Sequence, residues 1–215
     1  MRKIQRLAAV GAMAALTVAL SGCSNSEQAS TATPSAAAPT SVATSSGVTR
    51  ISDIFGPACS QVPTSGEGSA RGMVDDPVAT AASNNPLVST LVSAVKDAGL
   101  VDTLNGAQAL TVLAPFNGAF EKIPADTLDK VLADKPTLAK ILTYHVTDKR
   151  YDAEGLVGAG SITPLAGGSV TVAGTADAPT FKGAGNDAAA NTLCGNIPTK
   201  NATVFLIDTV LMPAM

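Results

Sequence analysis

The chain holds one histidine and three cysteines, the residue types from which acid–base, nucleophilic or metal chemistry is commonly built. His145 follows Tyr144 at the end of an apolar stretch. As a catalyst it would need a nucleophile to activate or a carboxylate to orient it. The sequence contains no G-x-S-x-G elbow and no second histidine for a metal site. A buried histidine held by hydrogen bonds is the expectation. Gly155-Leu156-Val157-Gly158-Ala159-Gly160 lacks both the G-x-G-x-x-G order and the Lys-Ser/Thr of a phosphate loop, so it is expected to be a plain loop. Asp75-Asp76 before Pro77 suits a helix N-terminus, and two adjacent acids do not make a calcium site. Asn201-Ala202-Thr203 matches an N-glycosylation sequon. No catalytic residue, metal or cofactor is expected, and the chain is read as non-enzymatic.

The cysteines carry different chemistry. Arg2, Lys3 and Arg6 precede an uncharged run from Leu7 to Leu20, which ends in Leu20-Ser21-Gly22-Cys23. A basic start and a short apolar run make a secretory signal peptide, too short for a comfortable membrane span. Its last four residues resemble the bacterial lipobox, in which the thiol is acylated with lipid and the chain is cut so that the cysteine becomes the first residue. Each buried methylene contributes about 0.8 kcal/mol, so two or more acyl chains such as palmitate anchor firmly. Cys23 is therefore the expected lipid attachment site. The protein is expected to be exported and held on the outer face of the cell membrane, with shedding to the extracellular space. Cys59 and Cys194 remain, an even pair in an exported chain, and are expected to form a disulfide.

Charge and composition narrow the class further. Residues 1–22 contain three of the 14 basic residues and no acid, which leaves 11 bases against 17 acids, a net charge of −6. That sign gives no electrostatic reason to bind nucleic acid. Apolar residues make up 46% of the chain and aromatics only 3%, so its core must be built mainly from Leu, Val, Ile and Ala. From Ser24 to about Thr49 the chain is Ser, Thr, Ala and Pro without periodicity. This reads as a flexible stalk spanning roughly 30 Å as a coil. The division is residues 1–22 as signal peptide, 23–50 as lipidated cysteine and linker, and 51–215 as a folded domain.

The elements that must position these residues follow from periodicity. Pro86 to Ala98 reads as an amphipathic helix, with Leu87, Leu91 and Val95 four apart and Gly99 as its stop. Ala109 to Ala114 is a short buried strand closed by Pro115. Pro124 to Ala133 and Leu138 to Val146 are helical, separated at Lys135-Pro136. After Tyr151 the pattern changes to short strands and glycine-rich turns. Ile162 to Ala166 and Val170 to Ala173 form a hairpin about Gly167-Gly168, and Thr203 to Ile207 is the last strand. Helices come first and antiparallel strands last, so the fold class is α+β. A core of small side chains leaves room for a cavity, so a carrier of a small apolar or glycolipid ligand is the alternative reading.

Three segments carry a family resemblance. Thr111-Val112-Leu113-Ala114-Pro115-Phe116-Asn117-Gly118-Ala119-Phe120 resembles the first signature box of the fasciclin family, TVFAPTNxAF, with Leu113 and Phe116 departing from it. Ile141-Leu142-Thr143-Tyr144-His145-Val146 is similar to the family's central Tyr-His element, and Val204 to Pro213 resembles its closing box. Stretches such as Asp76 to Pro86 and Leu100 to Asn105 look like the family's mycobacterial branch of surface lipoproteins and secreted immunogenic antigens, which has a cysteine pair placed like Cys59 and Cys194. The resemblance implies a single domain with a β-sandwich wedge of short antiparallel strands and a helical layer. It implies adhesion to a host cell-surface or matrix protein, with Tyr144 and His145 as the adhesion element. The acidic integrin-type motif of animal members is absent from Gly195 to Thr199.

Overall fold

The computed structural model describes residues 47–214. The expected signal peptide, the expected lipid site Cys23 and the expected stalk up to residue 46 lie outside them. The central strand is β1 (Leu110–Pro115), every residue of which is buried. Such a strand needs apolar partners on both faces. Leu110, Val112 and Ala114 join one hydrophobic cluster and Leu113 the other, as the two-residue period of a strand requires. The elements around it supply those two layers.

On the first face lie the helices α1 (Ala70–Met73), α2 (Val78–Ser83), α3 (Ser89–Asp97), α4 (Val101–Gly106), α5 (Asn117–Glu121), α6 (Ala125–Ala133) and α7 (Lys135–Tyr144). The chain then adds β2 (Val146–Thr147), α8 (Ala153–Ala159), β3 (Ser161–Ile162), β4 (Val170–Thr175), β5 (Ala178–Gly183), β6 (Ala190–Pro198) and β7 (Ala202–Ile207). The strand order is β2-β1-β7-β6-β5-β4-β3. Between β5 and β6 only Thr180–Asn191 and Phe181–Ala190 pair, and β6 carries register shifts. This weak joint lets β3–β5 turn over the second face, where Val170, Val172 and Phe181 meet Leu113, Phe205 and Ile207. The result is a sandwich wedge with a helical layer, an α+β fold. One pairing departs from the antiparallel expectation: β1 and β7 run parallel, from Leu110 opposite Ala202 to Pro115 opposite Ile207. Sequence neighbours cannot show this, because the two strands are far apart along the chain.

Local signals explain most element boundaries. The Asn85 side chain accepts from the Leu87 N–H at a short 3-10 turn, Pro86–Val88, that leads into α3. Gly99, at φ +69°, follows the end of α3. Helix α7 begins earlier than the Lys135-Pro136 pair implies, because Pro136 sits in its first turn, where no N–H is needed. It also ends earlier, since Val146 belongs to β2. The expected Gly155–Gly160 loop is helix α8. Asp152 Oδ1 accepts from the Gly155 N–H at 2.7 Å, Gly160 closes the helix at φ +65°, and Leu156 is fully buried. The hairpin about Gly167-Gly168 exists, but its first strand is only Ser161–Ile162, and 163–169 form its loop.

The entry segment is woven into the sheet. Phe55 and Gly195 form a bridge, the Ala58 N–H donates to the Leu193 carbonyl, and Cys59 is bonded to Cys194 with Cα atoms 4.9 Å apart. A Cβ on Gly195 would stand 2.4 Å from the Phe55 ring, so a larger residue there would push the ring aside. Phe55 and Phe181 both meet Phe205 edge-on, at 6.5 and 6.0 Å between centroids. The folded chain also begins before Ile51. Thr203 Oγ1 donates to the Gly47 carbonyl at 2.7 Å, so 47–50, assigned above to the linker, pack with the domain. A hydrogen bond from the last strand, not local composition, sets that boundary.

Candidate functional site at the Tyr-His pair

Helix α7 turns Leu138, Ile141, Leu142 and His145 onto one buried stripe, the face the spacing predicts. Its last turn tightens, the His145 N–H donating to the Leu142 carbonyl at 3.1 Å. That leaves the Ile141 carbonyl to the His145 side chain. The Leu211 N–H donates to Nε2 at 2.8 Å, so Nε2 is the bare nitrogen and Nδ1 carries the proton that it donates to Ile141 at 2.8 Å. Burial lowers the His145 pKa from 6.5 to about 4, against the opposing pull of the Ile141 bond. The ring is thus neutral at pH 7, saturated and 3% exposed.

Tyr144 points to the opposite cluster. Its hydroxyl donates to the Ser169 carbonyl at 2.6 Å and accepts from the Ala184 N–H at 3.0 Å. A Cβ on Gly183 would lie 3.1 Å from its ring. The two residues expected to form an adhesion element are therefore adjacent in sequence and separate in space. Both rings are buried. They fasten the end of α7 to the closing segment, to the β3–β4 loop and to the chain after β5.

Asparagines do much of the remaining positioning, and the sequence reading missed them as a group. Asn117, inside the first signature box, accepts from the Thr90 N–H and donates to the Pro86 carbonyl, tying the start of α5 to the start of α3. Asn201 accepts from the Val78 N–H at 2.9 Å and donates to the Leu104 and Ala107 carbonyls at 2.8 and 2.9 Å. It is 7% exposed, so the sequon lies buried. Asn186 accepts from the Met212 N–H and donates to the Val210 carbonyl. Arg150 holds the β6–β7 turn, donating to Thr203 Oγ1 and to the Thr199 and Ala202 carbonyls. Among the described residues, no group of three or more His, Cys, Asp or Glu is placed to hold a metal ion. None of their helices is long and apolar enough to cross a membrane.

Beside His145 the helical layer opens into an apolar cleft of about 700 Å³, open solvent at its mouth included, between α2, α3, α4, β1 and α7. Apolar residues such as Val78, Val95 and Leu104 make most of its wall, and no charged residue lines it.

The profile of the fasciclin domain matches residues 86–213. The cell surface glycolipoprotein MPB83 of Mycobacterium bovis is 42% identical over 219 residues, covering 96% of this chain and 95% of that one. The chain belongs to the fasciclin domain family. The immunogenic protein MPB70 of the same species is 44% identical over 75% of this fasciclin chain and 83% of its own. A fasciclin domain pair from the insect cell adhesion molecule Fasciclin I superposes with a TM-score of 0.55 at 20% identity, over 66% of this chain and 52% of that one. That likeness concerns the fold alone. It accounts for the wedge, and the Tyr-His pair of this fasciclin domain is a fastening within it.

Proposed function

We propose that the protein is a non-catalytic adhesion or interaction lipoprotein, anchored through Cys23 to the outer face of the cell membrane and contacting host cells or extracellular matrix. The observation that carries this reading is the extent of the MPB83 match. Covering 96% of the chain, it cannot omit the N-terminal 50 residues, so it takes in the signal segment, Leu20-Ser21-Gly22-Cys23 and the stalk. The MPB70 match covers 75%, about the length of the folded domain. An acylated cysteine followed by a Ser/Thr/Ala/Pro stalk holds a domain clear of the bilayer, where its surface can meet another. The buried Tyr144 and His145 serve by keeping that surface in shape.

Replacing Cys23 tests this directly. Cells expressing Cys23→Ala should release the protein into the medium and lose binding to a matrix-coated surface that wild-type cells show. Retention in the membrane fraction would remove the anchor from the reading, and equal adhesion by both strains would remove the adhesive role.

A further inference from the structure

Helix α3 turns Leu91 and Ala94 into the core between the sheet and α7. Three hollows surround it. The cleft beside His145 is one, of about 700 Å³. A second, of about 490 Å³, lies between α3, α6 and α7, and a third, of about 400 Å³, between α2, α3 and the sheet, open solvent included in each. Leu91 lines all three and is itself buried. His145 and Leu142 also separate the first from the second, while Ala82 borders the first and third.

The walls specify what could enter. No Asp, Glu, Lys or Arg lines any of the three. Several of the polar side chains present already have partners inside the protein. Thr143 Oγ1 donates to the Ala139 carbonyl, Thr199 Oγ1 to the Ala202 carbonyl, and both His145 nitrogens are bonded. A headgroup would find no charged side chain to hold it inside, whereas hydrocarbon would lose only water. The hollows follow one another around a single leucine, so a slim flexible chain can run through all of them as Leu91 changes rotamer. A rigid ring system can fill only one.

We propose that the three hollows form one site for the unbranched acyl chain of a membrane lipid, with Leu91 as its movable partition and the headgroup left outside. The choice of a membrane lipid rests on the anchored reading above, which tethers the domain within a stalk's length of a bilayer; the hydrocarbon specificity does not.

The unit from Val42 onward contains both hydrophobic clusters and the disulfide, and so can be studied alone. Titration of residues 42–215 with cis-parinaric acid should give saturable one-to-one fluorescence, displaced by palmitate and by phosphatidylglycerol vesicles. Dehydroergosterol should not compete. Leu91→Trp, which fills the partition, and Ala82→Leu, which narrows two hollows, should each weaken binding at least about tenfold with circular dichroism unchanged. Should Leu91→Trp fail to fold, Ala82→Leu decides, because Ala82 is only partly buried. Absence of saturable binding, undiminished binding in a folded variant, or effective competition by the sterol overturns the site. Displacement by palmitate but not by the vesicles overturns the membrane source alone. The Cys23→Ala experiment reads the anchor separately.

Discussion

His145 shows how a residue with catalytic chemistry becomes a structural one. Both ring nitrogens are used, and burial has made protonation costly. Between its unfolded pKa of 6.5 and its folded value of about 4, the unfolded chain binds a proton that the folded chain does not. Stability is therefore complete above pH 6.5, falls as the pH drops through this window, and loses nothing more from this group below about pH 4. The total is about 3 kcal/mol. The urea midpoint should fall accordingly between pH 7 and pH 4. In His145→Gln that portion of the slope should be missing, and an unchanged slope would place its source elsewhere. Asp208 acts lower on the scale. Burial pushes its carboxyl up, but bonds from Asn191 and Thr209 and the Lys122 charge outweigh that and hold it below 3.8.

At the scale of elements, the apolar repeats of α3, β1 and α7 were legible because each has a long stripe with one burial direction. Helix α8 was not. Its two glycines, Gly155 and Gly158, argue for a loop, and only the Asp152 cap, the left-handed Gly160 that follows and the buried Leu156 make it helical. The asparagine ties are similarly silent, since an Asn in a turn looks alike whether it faces water or three backbone groups. Asn201 joins the β6–β7 turn to the start of α2 and the end of α4. Asn201→Ala should cost about 2–4 kcal/mol in chemical denaturation, because it strands buried backbone groups. Asn105→Ala, whose side chain also serves the start of α2 but lies partly exposed, should cost less. Equal losses would mean that Asn201 owes its effect to something other than burial.

At the scale of the molecule, the Cys59–Cys194 bond closes a loop with a sequence separation of 135 across the whole domain. It fixes the entry segment against β6, one edge of which meets only a short piece of β5. By the loop-entropy argument its removal costs up to about 5 kcal/mol. The Cys59→Ala/Cys194→Ala pair should show a lower denaturant midpoint than the oxidised protein, and reductant should lower the wild-type midpoint alone. A wild-type midpoint indifferent to reductant would show that the bond carries no stability. The wedge itself depends on the same region, where two cores sit on opposite faces of β1 and β7.

The sequence by itself determined the α+β class, the main helices and strands, and the family, because periodicity and short motifs are local properties. It placed Tyr144 next to His145 and made them look like one site. Only the tertiary structure decided that they serve different cores, that β1 pairs in parallel with a strand from the far end of the domain, and that three apolar hollows meet at Leu91. These are consequences of long-range packing. Which face of an element is filled, and how completely, is set by residues distant in the chain.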